Sequence, residues 1–281
     1  MVPRAIRKIA DNIKQPVALI GCRTTDMSLD CCEYDLAIFS TGGNRILQTD
    51  GHDVELLYLD GLVKNHLIEL DGVEVLRDSN KFELSSALRD ISKARCRKAL
   101  NAAGKKSLIS SLFYQQKMGH TKDMIGFGMW LKLAAYESIE GLLALSGSRP
   151  MPLHELAQVR RIDVGSATEG AEVALECIGI ERATRSTIMR SVEAIKELKS
   201  QDYDLELFLS KAEYLLDHSM LTDCYYYAGR VAAKNLEGRK DLFHNQYPKL
   251  VQLALDLSSD TQYLEKLKKG LSKAARASLK R

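Results

Sequence analysis

An α+β head followed by a long all-helical body is the fold class that the sequence predicts. Two observations carry the prediction. As far as Leu76, short aliphatic runs are bounded by Gly, Asp or Asn, the punctuation of buried strands. Beyond Phe82 the apolar residues recur at helical spacing almost without interruption to Arg281.

The opening segment "MVPRAIRKIADNIKQ" sets Ile6, Ile9 and Ile13 at helical spacing with charges on the opposite face, an amphipathic helix. It lacks the continuous apolar core of a signal peptide. Strands are predicted at Val17–Ile20, Leu36–Phe39 and Val54–Leu59. A short helix over Leu62–Leu70 follows, then a strand at Val73–Leu76 that ends in the turn Asp78-Ser79-Asn80. Leu84, Leu88 and Ile91 begin the helical period. The longest helix is predicted within "KDMIGFGMWLKLAAYESIEGLLALSG", where Phe127, Trp130, Leu131, Ala134, Ile139 and Leu142 form a broad apolar face. Gly147 ends it, and Pro150 and Pro152 stop it restarting. "AEYLLDHSMLTDCYYYAGRVAAKNL" reads as two helices joined near Ser219, with the tyrosines mostly core. Pro248 falls in the first turn of another helix. The polar stretch Lys199–Asp204 is the boundary candidate within the body. The domains are therefore read as an α+β core over 1–82 (a short mixed sheet with flanking helices), a helical domain over 83–199 and a C-terminal helical bundle over 200–281.

The chain has 281 residues, 45% hydrophobic and 27% charged, the balance of an ordinary globular protein. With 40 basic and 37 acidic residues, its net charge of +3 does not by itself imply nucleic acid. Six cysteines show neither a CxxC pair nor zinc-finger spacing with histidine, so reduced thiols in the cytoplasm are expected. No apolar run approaches the ~18 residues of a membrane span, so no membrane partner is expected.

Chemistry concentrates between Ala18 and Leu59. In a strand Glu33 and Asp35 share a face while Tyr34 and Leu36 point into packing. Carboxylates that close repel and raise one pKa unless a cation holds them. Hard divalent cations such as Mg2+ take oxygen ligands from carboxylates and substrate phosphates. Glu55, framed by Val54 and Leu56, completes a three-carboxylate cluster if its strand lies beside the second, and Asp53 shares its face. The alternative is the solvated polar end of a strand. Gly21-Cys22 closes the first strand, where a glycine lets backbone amides approach a phosphate.

These residues resemble the nucleotidyltransferases of the polymerase-beta type. The resemblance runs through Leu19-Ile20-Gly21-Cys22, ten intervening residues, Glu33-Tyr34-Asp35-Leu36, and Val54-Glu55-Leu56. "CEYDLAIF" has the shape of the family's serine-acid-apolar-acid segment, with Cys32 at the serine position. "VEVLRDSNKF" resembles the strand and turn that end the core of small nucleotidyltransferases. Cys22 stands where Ser or Gly is usual, and Glu33 where Asp is commoner. The resemblance covers roughly the first 80 residues. It implies transfer of a nucleoside monophosphate from an NTP to an unknown acceptor with release of pyrophosphate. It implies that Glu33, Asp35 and Glu55 are the catalytic ligands of two Mg2+ ions. Gly21 and Cys22 would cradle the triphosphate, with Arg23 assisting, and the helical domain over 83–199 would form the other wall of the cleft.

The C-terminal part, with "RKDLFH", is similar to the small helical domains of the HEPN class. Its ribonuclease members pair an arginine with a histidine, here Arg239 and His244, although Lys240 stands where a small polar residue is usual. Two basic segments could grip nucleic acid. Lys93–Lys106 carries six basic residues and no acid, and Leu264–Arg281 carries seven against one Glu. Solvated helix faces are the commoner explanation for such runs. Leu264, Leu267 and Leu271 give the second segment an apolar docking stripe. Besides the enzyme, two other readings stand: an inactive sensor or scaffold that keeps the nucleotidyltransferase fold, and an RNA-binding or RNA-cleaving helical protein centred on Arg239 and His244.

Overall fold

The computed structural model describes residues 2–60, 66–70, 72–121, 123–162, 165–198, 204–237, 239 and 243–280. The chain divides into two compact units, Met1–Leu100 and Asn101–Arg281.

The first unit is built on a five-stranded mixed sheet. Its strands are β1 (Val17–Ile20), β2 (Tyr34–Ile38), β3 (Arg45–Thr49), β4 (His52–Tyr58) and β5 (Glu74–Arg77), in the spatial order β3-β4-β2-β1-β5. β2 and β4 are parallel, and the other neighbours are antiparallel. The alternation of side chains divides the sheet into two faces. Val17, Leu19, Tyr34, Leu36, Ile38, Val54 and Leu56 form one core with Ile6 and Ala10 of α1 (Arg4–Asn12), so the amphipathic helix covers that face. Ile20, Ala37 and Leu70 form a smaller core on the other face, with Leu57 and Leu88 against it. Asp35 and Glu55 precede Ala37 and Leu57 on this second face.

β3 is absent from the sequence-based expectation. Arg45–Thr49 is a short edge strand with two exposed side chains and no apolar run. Its hairpin to β4 pairs Thr49 with His52 across Asp50 (φ 47°) and Gly51 (φ 74°), both left-handed as a two-residue turn requires. The Asp-Gly dipeptide was the available signal. Of the helix expected at Leu62–Leu70, residues 61–65 lie outside the described residues, and His66–Leu70 form turns. α2 (Glu83–Arg89) begins at Phe82, whose side chain cannot cap it. Asp78 caps instead, accepting from the amides of Leu84 (3.0 Å) and Ser85 (2.8 Å). Burial acts against the Asp78 carboxylate, but these bonds hold its pKa below the ordinary value.

α3 (Lys93–His120) crosses the division between the units. In the second unit α4 (Met124–Ser146) is buried along almost its whole length, capped by Asp123 and ended by left-handed Gly147. Around it pack α5 (Glu155–Val159), α6 (Gly165–Ile178), α9 (Leu221–Glu237), α10 (Phe243–Gln246), α11 (Pro248–Leu255) and α12 (Thr261–Leu279). α7 (Arg185–Leu198) and α8 (Leu205–Asp217) pack against α9. The join between α8 and α9 turns at Ser219 (φ 57°), and Pro248 opens α11. Leu264, Leu267 and Leu271 of α12 are buried, the docking stripe that the heptad-like spacing suggested. The boundary candidate at 199–204 lies almost wholly outside the described residues. No helix among the described residues is long and apolar enough to cross a membrane.

Candidate active site

Parallel pairing of β2 with β4 sets Asp35 directly opposite Glu55. Adjacent strands lie about 4.8 Å apart, so paired side chains on one face must meet. Glu33, two residues before Asp35, points to the same face. One carboxylate oxygen from each of Glu33, Asp35 and Glu55 lies within 4.8 Å of the others, and all three residues are partly buried. Glu33 Oε2 and Asp35 Oδ1 are shielded from solvent. Three like charges this close repel, and a hard divalent cation supplies what that donor set lacks. The residues present therefore fit such an ion. Asp53, expected on the face of Glu55, instead accepts from Gln48 across the hairpin at 3.0 Å and stands outside the cluster.

β1 ends against the same acids. Ile20 pairs with Asp35, and Gly21 follows with φ 79° and ψ −161°, backbone that a side chain strongly disfavours. A Cβ at Gly21 would lie 1.9 Å from Asp35 Oδ2. The glycine thus serves two ends, the turn and the room that the Asp35 carboxylate occupies. Gly21→Ala is expected to destabilise the first unit by about 1–3 kcal/mol through the backbone alone. It should also displace Asp35. Thermal unfolding of Gly21→Ala and of Gly21→Ala with Asp35→Ala checks both parts, since the second change relieves only the clash.

After Gly21 a single 3-10 turn, Cys22–Thr24, is closed by hydroxyls. Thr24 Oγ1 donates to the Gly21 carbonyl and Thr25 Oγ1 to that of Cys22, both at 2.8 Å. The Cys22 thiol is buried. A hydrogen bond with Cys32, then burial, reinforced by the nearby Glu33 and Asp35 carboxylates, push its pKa up, so it stays protonated. Its side chain therefore engages Cys32, and what Cys22 can offer a phosphate is backbone. All six cysteines are free thiols.

Arg23, expected to touch a triphosphate, is engaged in the loop before β2. Its Nε donates to the Cys32 carbonyl at 2.9 Å and an Nη to that of Asp30 at 3.0 Å. Its guanidinium also lies 4.5 Å over the Tyr34 ring, whose edge contact with His52 has centroids 5.3 Å apart. Arg23 thereby fastens the loop that delivers Glu33. Sequence reasoning missed this stapling and the Cys22–Cys32 contact, because both partners lie across a turn whose path the spacing does not reveal.

Arg239 and His244 serve different partners. Arg239 donates to the Leu198 carbonyl and lies over the Phe243 ring at 5.3 Å. His244 is buried, with Nε2 3.3 Å from Asp123 and its ring edge-on to Trp130. A buried imidazole held in this way packs the helical unit. Lys240 lies outside the described residues.

Comparison with protein-family models, with curated proteins and with solved structures finds no match for this chain.

Proposed function

We propose that this protein is a metal-dependent nucleotidyltransferase that moves a nucleoside monophosphate from an NTP to an acceptor. The observation that carries the reading is the meeting of Glu33, Asp35 and Glu55 beside Gly21. The resemblance of the Gly21-Cys22 and Glu33-Tyr34-Asp35-Leu36 segments to the polymerase-beta type supports the same conclusion. The acceptor hydroxyl oxygen forms a bond to the α-phosphorus and its proton passes to solvent, the bond from that phosphorus to the β-phosphate oxygen breaks, and pyrophosphate leaves.

Each residue has a part in this reading. Glu33, Asp35 and Glu55 would hold Mg2+ and, through it, orient the triphosphate on the acidic face of the sheet. Bound there, Mg2+ would polarise the phosphate oxygens and offset the charge developing on pyrophosphate. Gly21, lacking a side chain, leaves the room that the Asp35 carboxylate occupies, and Gly21 and Cys22 contribute backbone rather than the thiol. Arg23 acts by holding the 30–32 loop and, through it, Glu33.

The test incubates the protein with Mg2+ and each labelled NTP, with and without candidate acceptors. Pyrophosphate release by the wild type, absent in Glu33→Ala with Asp35→Ala, is the expected result. Nucleotide-independent behaviour of both proteins would overturn it. Nucleotide binding without turnover in the wild type would favour the sensor reading.

A further inference from the structure

The two basic segments of the sequence belong to helices that border one groove. Two of the large apolar side chains left exposed in the second unit, Ile109 (59%) and Phe113 (52%), stand one turn apart on α3. With Leu112 they form one wall of an open groove of about 730 Å3, and Lys268, Lys269 and Arg276 of α12 form the other. The buried stripe Leu264, Leu267 and Leu271 anchors α12 and leaves Lys269 and Arg276 exposed, while Lys268 is half-buried with its ammonium 5.3 Å over the Phe127 ring. One carboxylate, Glu265, joins the lining. Lys117 lies over the Phe113 ring at 5.0 Å, and Lys105 and Lys106 are exposed about one turn before Ile109.

The charge calls for a polyanion, and the apolar part says which kind. Peptide helices dock through three or four anchors spread over two turns or more. Here the exposed apolar stretch is a single turn, bounded by Lys105 and Lys106 before it and Gln116 after it. That is the size of one or two bases. A duplex would hide its base faces from Phe113, whereas an unpaired strand presents them. We propose that this groove binds a single-stranded nucleic acid, with a base stacked at Phe113 and Ile109 and flanking phosphates met by Lys268, Lys269 and Arg276. The proposal is independent of the carboxylate site, and its test reads binding alone.

Fluorescence anisotropy of a labelled oligouridylate of about 15 nucleotides tests it on the full chain. Saturable binding is expected, with a log–log salt slope of about −2 if three phosphates are neutralised. Phe113→Ala and Phe113→Leu should each weaken binding about tenfold, and Phe113→Tyr should retain it. Lys268→Glu with Lys269→Glu and Arg276→Glu should abolish binding and salt dependence together. Arg190→Glu, an exposed charge change on α7, should leave affinity nearly unchanged. Thermal unfolding confirms that each variant is folded. The proposal is overturned if the wild type does not bind, if Phe113→Leu binds as tightly as wild type, or if Arg190→Glu loses as much as the α12 variant. Tighter binding of a same-sequence duplex or of a glutamate-rich helical peptide would overturn it equally.

Discussion

Asp35→Asn is expected to lower Mg2+-dependent nucleotidyl transfer about a thousandfold while leaving the fold intact. The loss corresponds to several kcal/mol of transition-state stabilisation, the scale on which charge stabilisation by a bound cation operates. Asp35 is the hinge of the cluster, opposite Glu55 in the parallel pair and in contact with the space that Gly21 leaves. Asparagine keeps the shape and removes the charge. Relieving one of three crowded carboxylates should hold the melting temperature steady or raise it. A side chain kept only for structure would show the reverse pattern, unchanged turnover with reduced stability. Steady-state turnover and thermal unfolding of the one variant therefore separate the two roles.

Arg230→Ala should cost the helical unit about 3–5 kcal/mol, the largest stability effect expected of any single change here. Arg230 is 6% exposed and faces three acids from other helices. Its guanidinium meets Glu137 at 3.6 Å and Glu155 at 3.5 Å, and also contacts Glu140. The Tyr226 hydroxyl donates to Glu155 at 2.8 Å. Without the cation, three carboxylates remain in or near a low-dielectric core. Adding Glu155→Gln should recover part of the loss, as denaturant unfolding would measure.

The same cluster predicts a pH dependence. Burial, reinforced by Glu140, lifts the Glu137 pKa from 4.5 to about 7. The folded state therefore binds a proton there more tightly than the unfolded state does. Its stabilising contribution is full below pH 4.5 and is lost as pH rises through about 7. Buried Lys132 acts oppositely, since burial lowers its pKa from 10.5 to about 7. It withdraws stability as pH falls from 10.5 through 7. Unfolding of the helical unit between pH 5 and 7 should show a falling stability that Glu137→Gln flattens.

How far the sequence could be read follows from what each signal measures. Strand alternation made Glu33 and Asp35 share a face, and the aliphatic frame of Glu55 marked a buried strand. The parallel register that brings Asp35 against Glu55 is a tertiary fact, because β3 and a hairpin intervene between the two strands. β3 itself escaped because an exposed edge strand needs no apolar run, although Asp50-Gly51 signalled its turn. In the helical body, periodicity located α4, α9, α11 and α12 well. It could not tell that Lys132, Glu137 and Arg230 lie buried, since the partners of Arg230, Glu137, Glu140 and Glu155, come from distant parts of the chain. Arg239 and His244 are a different case. There a short spacing match alone carried the reading; in the fold Arg239 meets the Leu198 carbonyl and the Phe243 ring, and His244 meets Asp123 and Trp130.

The most direct test of the central claim is Mn2+ binding, followed by electron paramagnetic resonance with and without a non-hydrolysable NTP analogue. The account predicts that the wild type binds Mn2+ more tightly with the nucleotide present, and that Glu33→Gln with Asp35→Asn and Glu55→Gln removes that binding in a folded protein. Equal Mn2+ binding by the wild type and the triple variant, or none by either, would contradict it.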